Sequence, residues 1–391
     1  MKMKANYKPL GKYIQPVAGR NNDLGDLPLM GLSIQKKFIP SIANTIGTDM
    51  STYRIIENNQ FAYGPVTSRN GDKITIALFN DFEKALISQA YIPFEVKDTN
   101  ELDPEYLMMW FRRPEFDRYA RFKSHGSARE IFDWEEMCNT LLPVPHITKQ
   151  REIVKEYNVI QNRIDLNNQL IQKLEETAQA IYKQWFVDFE FPDENGNPYK
   201  SNGGEMVWNE ELGKETPKGW KMTPIADVGE IKAGGDKPNV FSEVKTNKRQ
   251  IPIYSNGITN DGLYGYTNKH NYPKNSITIS ARGTIGFCVL RRGDFDAIVR
   301  LLVLIPKYPN SAIYLWQTIK KIEFDHSGSV QNQLTIPQVS VISILFPEHG
   351  VLKQYDSILN LLYKNIDLQT KENQKLSELK ELLLSKITRE N

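Results

Sequence analysis

The run FRRPEFDRYARFKSHGSAR, Phe111 to Arg129, sets Arg112, Arg113, Arg118, Arg121, Lys123 and Arg129 among Phe116, Tyr119 and Phe122, with only Glu115 and Asp117 opposing them. A guanidinium presents a planar fork that suits phosphate oxygens and the O6/N7 edge of guanine alike, so such a cluster can hold a nucleic-acid backbone and read a base. The same run holds Ser127 beside its glycine. A solvated helix face carries charge in the same way, and the pattern alone leaves both readings open. Further along, SARGTIG offers Ser280 and Arg282 at a strand-to-turn edge, where Gly283 and Gly286 permit a close backbone approach. A tight hairpin with an exposed arginine has the same look. SGSVQNQ adds Ser329, Gln331 and Asn332, side chains able to make paired hydrogen bonds to adenine. YSNG, Tyr254 to Gly257, is first a turn, with Asn256 as a candidate base contact. Lys232, Lys237, Lys248 and Arg249 suit phosphates.

Catalytic groups do not assemble in the same way. An amino-methyltransferase needs a glycine-rich methyl-donor loop and an Asn-Pro-Pro-aromatic motif, and NPY at Asn197 lacks the second proline. There is no GxxxxGK[ST] phosphate loop for ATP. Glu243-Val244-Lys245 has the acid-x-lysine form of metal-dependent nucleases, yet the nearest Pro-Asp lies across a domain boundary and the triplet is common by chance. His125, His146, His270, His326 and His349 show no ligand spacing and suit turns or surfaces. These absences predict a chain with no metal, no cofactor and no active site of its own.

The scaffold that would position these residues is long and repeated. A chain of 391 residues exceeds one ordinary core and predicts two or three domains. Net charge of +2 excludes a strongly basic coat, so any nucleic-acid surface must be local. Cys138 and Cys288 make neither a disulfide framework nor a zinc knuckle. No apolar run follows the lysines of MKMKANYKPL, and none elsewhere approaches ~18 residues. A reducing cytoplasm fits these features.

IDLNNQLIQKL at Ile164 to Leu174 returns as IDLQTKENQKL at Ile366 to Leu376, an offset of 202 residues. The same shift superposes HGSARE (His125 to Glu130) on SGSVQN (Ser327 to Asn332) and Pro145 on Pro347, so the second half reads as a copy of the first. A long helix follows each proline, with Thr148 as N-cap of the first. Its apolar positions, Ile153, Tyr157, Ile160, Ile164, Asn167, Ile171, Leu174, Ala178, Ile181 and Trp185, step by fours and threes as a heptad seam. The second seam is Leu352, Tyr355, Leu359, Leu362, Ile366, Gln369, Asn373, Leu376, Leu383 and Ile387. Each helix can bury its stripe on its own domain. Pairing the two as an antiparallel coiled coil buries both stripes and brings Asn167 to its counterpart Gln369.

Short β-branched runs between Gly, Pro and Asn, such as KITIAL, SITISARGTIGF and AIVRLLVLIP, alternate with helix-like pieces EYLMMWFRR and AIYLWQTIKK. The expected class is α+β: residues 1–146 as a first globular domain, 147–187 as the first long helix, 188–347 as connector and second domain, and 348–391 as the second long helix. The connector DFEFPDENGNPYKSNGGEMVWNEELGKETPKGW, rich in Gly, Pro, Asn and acid, reads as ordered but irregular.

AIYKQWFVDFEFPDENGNPYKSNGGEMVWNEELGKETPKGW, followed by SARGTIG and by the GS that opens GSVQNQL, resembles the specificity subunits of type I restriction-modification systems, and the resemblance spans the whole chain. The first domain is the weaker match: AYGPVTSRNGDKITIAL only loosely echoes ITISARGTIGFCVL. The resemblance implies that each globular part is a target recognition domain reading one half of a bipartite DNA site. It also implies paired helices that separate the readers and dock two methyltransferase subunits, with a motor and nuclease subunit completing the complex. Two other readings stay open on residues alone: a self-contained nuclease or methylase with unrecognised motifs, and a structural coiled-coil adaptor.

Overall fold

The structure, a computed structural model, describes residues 7–44, 46–68, 70–126, 129–324 and 333–387. Among them the helices are α1 (Pro104–Phe111), α2 (Pro114–Lys123), α3 (Trp134–Asn139), α4 (Ile147–Phe186), α5 (Ile225–Val228), α6 (Ala312–Ile319), α7 (Ile336–Ser340) and α8 (His349–Lys386). Residue contacts divide the chain into two units, 1–168 with 370–391 and 169–369, so the division falls inside the long helices and each unit takes part of both.

In the first unit an antiparallel sheet orders Ile14–Pro16, Ile92–Val96, Phe61–Tyr63 and Ile76–Leu78. A second sheet orders Phe38–Pro40, Leu29–Leu32, Lys84–Ile87 and Arg54–Glu57, with its middle pair parallel. Aromatic side chains fill the core: Phe61 stacks on Phe94 at 4.9 Å, and both meet Phe111 of α1 edge-on. Asp103 caps α1 by accepting from the N–H groups of Glu105 and Tyr106, and Pro104 presets its first turn. Tyr7–Pro9 pairs with Leu141–Pro143, the strand that leads into α4. Val154 and Tyr157 of α4, Leu384 of α8 and Ile387 just beyond that helix are buried in this same core.

The second unit repeats the plan. Its antiparallel sheet orders Gly229–Ala233, Leu302–Pro306, Ser276–Ile279 and Cys288–Arg291, again with the last strand before the short helix lying between the first strand and a hairpin. A smaller sheet orders Leu263–Thr267, Ile251–Tyr254 and Asp296–Ala297, and again contains one parallel pair. Lys221–Pro224 pairs with Ser343–Phe346, the strand that leads into α8. Ala178, Tyr182, Trp185 and Phe186 of α4 and Leu352, Tyr355 and Leu359 of α8 are buried in this unit's core. The fold is therefore the α+β architecture expected, with two repeated domains and two long helices.

The helices run antiparallel within each unit. In the first, Arg163 reaches Glu372, Asn167 reaches Asn373, and Gln161 accepts from Lys380, so numbers rise along α4 as they fall along α8. In the second, Trp185 and Phe186 lie against Tyr355, with ring centroids 5.6 and 4.7 Å apart. The seam positions face inward: Ile160 and Ile164 are buried, while Ile153, Ile171, Leu174, Leu362, Ile366 and Leu376 are half-buried. The expected pairing of Asn167 with Gln369 is corrected. Asn167 donates instead to Asn373 Oδ1 at 2.9 Å and to Glu372 Oε2 at 3.1 Å, because the register brings the next turn of α8 opposite it. Gln369 belongs to the other unit, where its Oε1 is buried without a hydrogen-bond partner among the described residues.

Two local expectations are also corrected. Helix α4 starts at Ile147, ahead of Thr148, and His146 takes the capping place: its carbonyl accepts from Lys149 and Gln150 and its Nδ1 from Thr148. The connector is less irregular than its composition suggests, since Met206–Asn209 and Lys214–Pro217 form an antiparallel hairpin. Asn209 closes its turn by accepting from the backbone N–H of Leu212, and Gly213 follows in the left-handed region at φ 60°. Among the described residues no helix is long and apolar enough to cross a membrane.

Candidate nucleic-acid interface

Helix α2 carries most of the arginine run of the first unit. Pro114 opens it, Glu115 and Asp117 sit in its first turn, and Arg121 and Lys123 in its last, which matches the helix dipole at both ends. The cations do not share one environment. Arg113 is buried, its guanidinium 4.3 Å from the Trp110 ring centroid and 3.3 Å from Glu115, and burial lowers its pKa. Asp117 is buried too and pairs with buried Lys36 at 2.8 Å, where desolvation lowers the lysine pKa despite its partner. Arg112 lies over the Tyr157 ring at 5.5 Å. Arg121 pairs with Glu130 at 2.5 Å and Lys123 with Glu136 at 3.2 Å. Arg118 keeps 68% of its side chain exposed and touches Glu115 only at 3.5 Å. Arg129 is exposed and makes no side-chain hydrogen bond or ion pair among the described residues. Between them Phe122 is 80% exposed, an aromatic face left in water beside arginines. Ser127 lies outside the described residues.

In the second unit four segments converge on a small network. The Ser276–Ile279 strand ends in buried Ser280, whose N–H donates to Phe287 O, and the chain then turns through Gly283 and Gly286 at φ 70° and 82°. Gly286 is required there: a Cβ would come within 2.5 Å of the Phe324 ring. Ala281 is held from both sides, its N–H donating to Asn256 Oδ1 at 2.7 Å and its carbonyl accepting from Leu334 N–H at 2.9 Å. Arg282 follows, exposed, with Nε and Nη2 both donating to Gln333 Oε1 at 3.1 and 2.8 Å. The far end of Asn256 is also taken, since its Nδ2 donates to Val299 O at 2.7 Å. Ser329, Gln331 and Asn332 lie outside the described residues.

Buried Arg291 braces this network from below. Its guanidinium lies 3.5 Å from the Tyr254 ring centroid and donates to Thr278 Oγ1 and to the Asp261 carbonyl, at 2.9 and 2.7 Å. Burial pulls its pKa down to about 10, with Tyr254 and Asp261 opposing the fall. Of the lysines, Lys232 pairs with Glu230 at 3.0 Å, and Lys237 sits 3.5 Å over Phe241 and 5.4 Å from Tyr264. Lys248 is exposed and Arg249 half-buried.

The structure thus brings Asn256 and Arg282 together, withdraws Arg113 and Ser280 from the surface, and neutralises Arg121, Lys123 and Lys232 with nearby carboxylates. Two exposed or bonding groups escaped the sequence reading: Gln333 closes the motif SGSVQNQ, whose other polar side chains drew attention, and Arg300 sits in a β-branched run that reads as continuous strand. No group of His, Cys, Asp and Glu among the described residues can hold a metal ion.

Comparison with known proteins supplies an independent frame. The family model described as Type I restriction modification DNA specificity domain matches twice, over residues 9–176 and 217–378. The chain is 24% identical over 305 residues to the type I restriction enzyme MjaIX specificity subunit of Methanocaldococcus jannaschii, covering 72% of this chain and 68% of that one. It is 21% identical over 427 aligned residues to the type I restriction enzyme HindI specificity subunit of Haemophilus influenzae, covering 90% and 91%. The fold is similar to the crystal structure of a type I restriction-modification S subunit from M. genitalium, with TM-score 0.62 and 16% identity over 99% and 98% of the two chains.

Proposed function

Since the chain belongs to the type I restriction modification DNA specificity family, we propose that it reads a bipartite target in double-stranded DNA without catalysing a reaction itself. Each unit reads one half-site. Two methyltransferase subunits dock on the helices, and restriction and motor subunits complete the complex, all in the cytoplasm. The observation that carries this reading is the repetition of one plan. Two units whose main sheets share one strand order each carry exposed arginines outside the sheet, and each leads into a long helix that starts two residues after a proline.

Division of roles among the side chains follows from their surroundings. Arg118 and Arg129 are the open cations of the first reader, and Phe122 offers a face on which a base or sugar can stack. Arg282, its fork half engaged by Gln333, retains N–H donors for a guanine edge. Lys237 and Lys248 suit phosphates, which position the duplex and carry no sequence information. The test is selection from a random duplex library on the chain assembled with its methyltransferase subunits. The expected outcome is two short preferred blocks separated by a spacer of fixed length and free sequence. A single contiguous block, or no preference, overturns the reading.

A further inference from the structure

Val299 and Arg300 both adopt the left-handed region, at φ 54° and 60°. Neither is glycine or asparagine, and a β-branched residue in this region is a true outlier, so the surrounding structure must impose it. The imposing contacts are present. Val299 N–H donates to Gly235 O and Arg300 N–H to Gly234 O, at 2.9 and 3.2 Å, while Gly234 and Gly235 donate back to Leu301 O and Ala297 O. Gly234 lies so close to Ala297 that a Cβ would come within 2.7 Å of its carbonyl carbon. Ile298 N–H is tied to Tyr254 O at 2.9 Å. Val299 O then accepts the 2.7 Å hydrogen bond from Asn256. The product of this clamp is an exposed Arg300 whose side chain makes no hydrogen bond or ion pair among the described residues. Backbone strain held this firmly is characteristic of places where a side chain must be aimed.

Asn256 connects this turn to the other exposed arginine. One neighbour of its amide is an N–H, of Ala281, and the other a carbonyl, of Val299, which fixes which end is oxygen and which is nitrogen. With both ends engaged by backbone, the side chain has little left for a base. We infer that Arg300 is a base-reading residue of the second half-site, and that Asn256 is the positioning residue that sets its turn against Arg282. This rests on the two-reader function proposed above. A phosphate contact would need no such aiming, because a lysine or arginine on any flexible loop meets a phosphate equally well.

The test uses the full chain assembled with its methyltransferase subunits and a duplex library in which the selected first half-site is fixed and the second is random. Arg300→Gly removes the side chain and relaxes the left-handed turn, so its melting temperature should match or exceed that of the parent. It should also lose about 5- to 150-fold of base discrimination at one or two positions of the second half. Arg300→Lys, which keeps the charge and loses the fork, should lose the same discrimination. Asn256→Asp keeps the acceptor for Ala281 and sets a carboxylate against Val299 O. It should blur the positions lost in Arg300→Gly while sparing those lost in Arg282→Ala. Weaker binding by Arg300→Gly with every base preference intact makes Arg300 a phosphate contact and overturns the inference, as does an unchanged profile. An unvaried chain that shows no preference in the second half overturns the two-reader function itself.

Discussion

Replacing Asn167 and Asn373 with leucine together should stabilise the chain, whereas Asn167→Leu alone should weaken it. Asn167 is 3% exposed in the apolar seam and donates to Glu372 and Asn373, and Asn373 donates in turn to Asn168 at 2.9 Å. Leucine at 167 contributes ~2 kcal/mol from burial. Against that, the single change loses two hydrogen bonds at ~1 kcal/mol each and leaves Asn373 Oδ1 short of a donor at roughly 1 kcal/mol more, for a net loss near ~1 kcal/mol. The double change removes the stranded oxygen and adds about half a leucine burial at half-buried position 373, and it also loses the exposed hydrogen bond to Asn168 at roughly 0.5 kcal/mol, for a net gain near ~0.5 kcal/mol. The gap of ~1.5 kcal/mol should appear as roughly 3–6 °C between the two melting midpoints. A polar layer in an apolar seam also fixes register, so the double variant should accept a wider range of spacer lengths between half-sites. Circular dichroism melts of the parent, both singles and the double give the coupling energy. A coupling under about 0.5 kcal/mol, or an unchanged spacer preference, would refute the polar-lock reasoning.

Further outcomes follow from the same structure. Burial pushes the Cys288 thiol up to about 12 from its ordinary value of 9.0. Since the folded chain then holds that proton more tightly than the unfolded chain, Cys288 contributes stability fully below about pH 9 and loses it as pH rises toward about 12. Iodoacetamide should reach it at pH 8.5 only as the second unit opens, and alkylation at the rate of a free thiol without unfolding would contradict its placement. Residues 1–187 alone leave Tyr182, Trp185 and Phe186 without the second unit's core, so this fragment should sediment as a homodimer pairing α4 with α4. With methyltransferase subunits the dimer should mark an inverted repeat of the first half-site. A folded monomer at micromolar concentration would count against it. The purified chain given DNA, methyl donor and magnesium should show no turnover, and any product without added subunits would restore the enzymatic reading.

Much of the architecture was legible because it depends on periodicity. The repeat at 202 residues, the prolines ahead of both helices and the fours-and-threes seam are properties of spacing, and helices and seams obey spacing. What stayed hidden depends on who stands opposite whom. Asn167 meets Asn373 because of a helix register that no single helix encodes. Arg113 and Arg118 look alike in sequence, but Trp110 and the core cover one and leave the other in solvent. Asn256 looked like a base reader because its two backbone partners, at 281 and 299, are distant along the chain. The turn at Val299 and Arg300 was invisible for a sharper reason, since a left-handed turn ordinarily announces itself with glycine or asparagine and this one is enforced by tertiary hydrogen bonds.

The central claim is that two separate readers share one chain, and crossed lesions test it most directly. Arg118→Ala and Arg282→Ala, each in the full assembly, are profiled against a library in which both half-sites vary. Arg118→Ala should change preference or affinity in the first half alone. Arg282→Ala should cost ~1–3 kcal/mol of discrimination in the second half alone. Lesions that alter both halves equally would contradict the account.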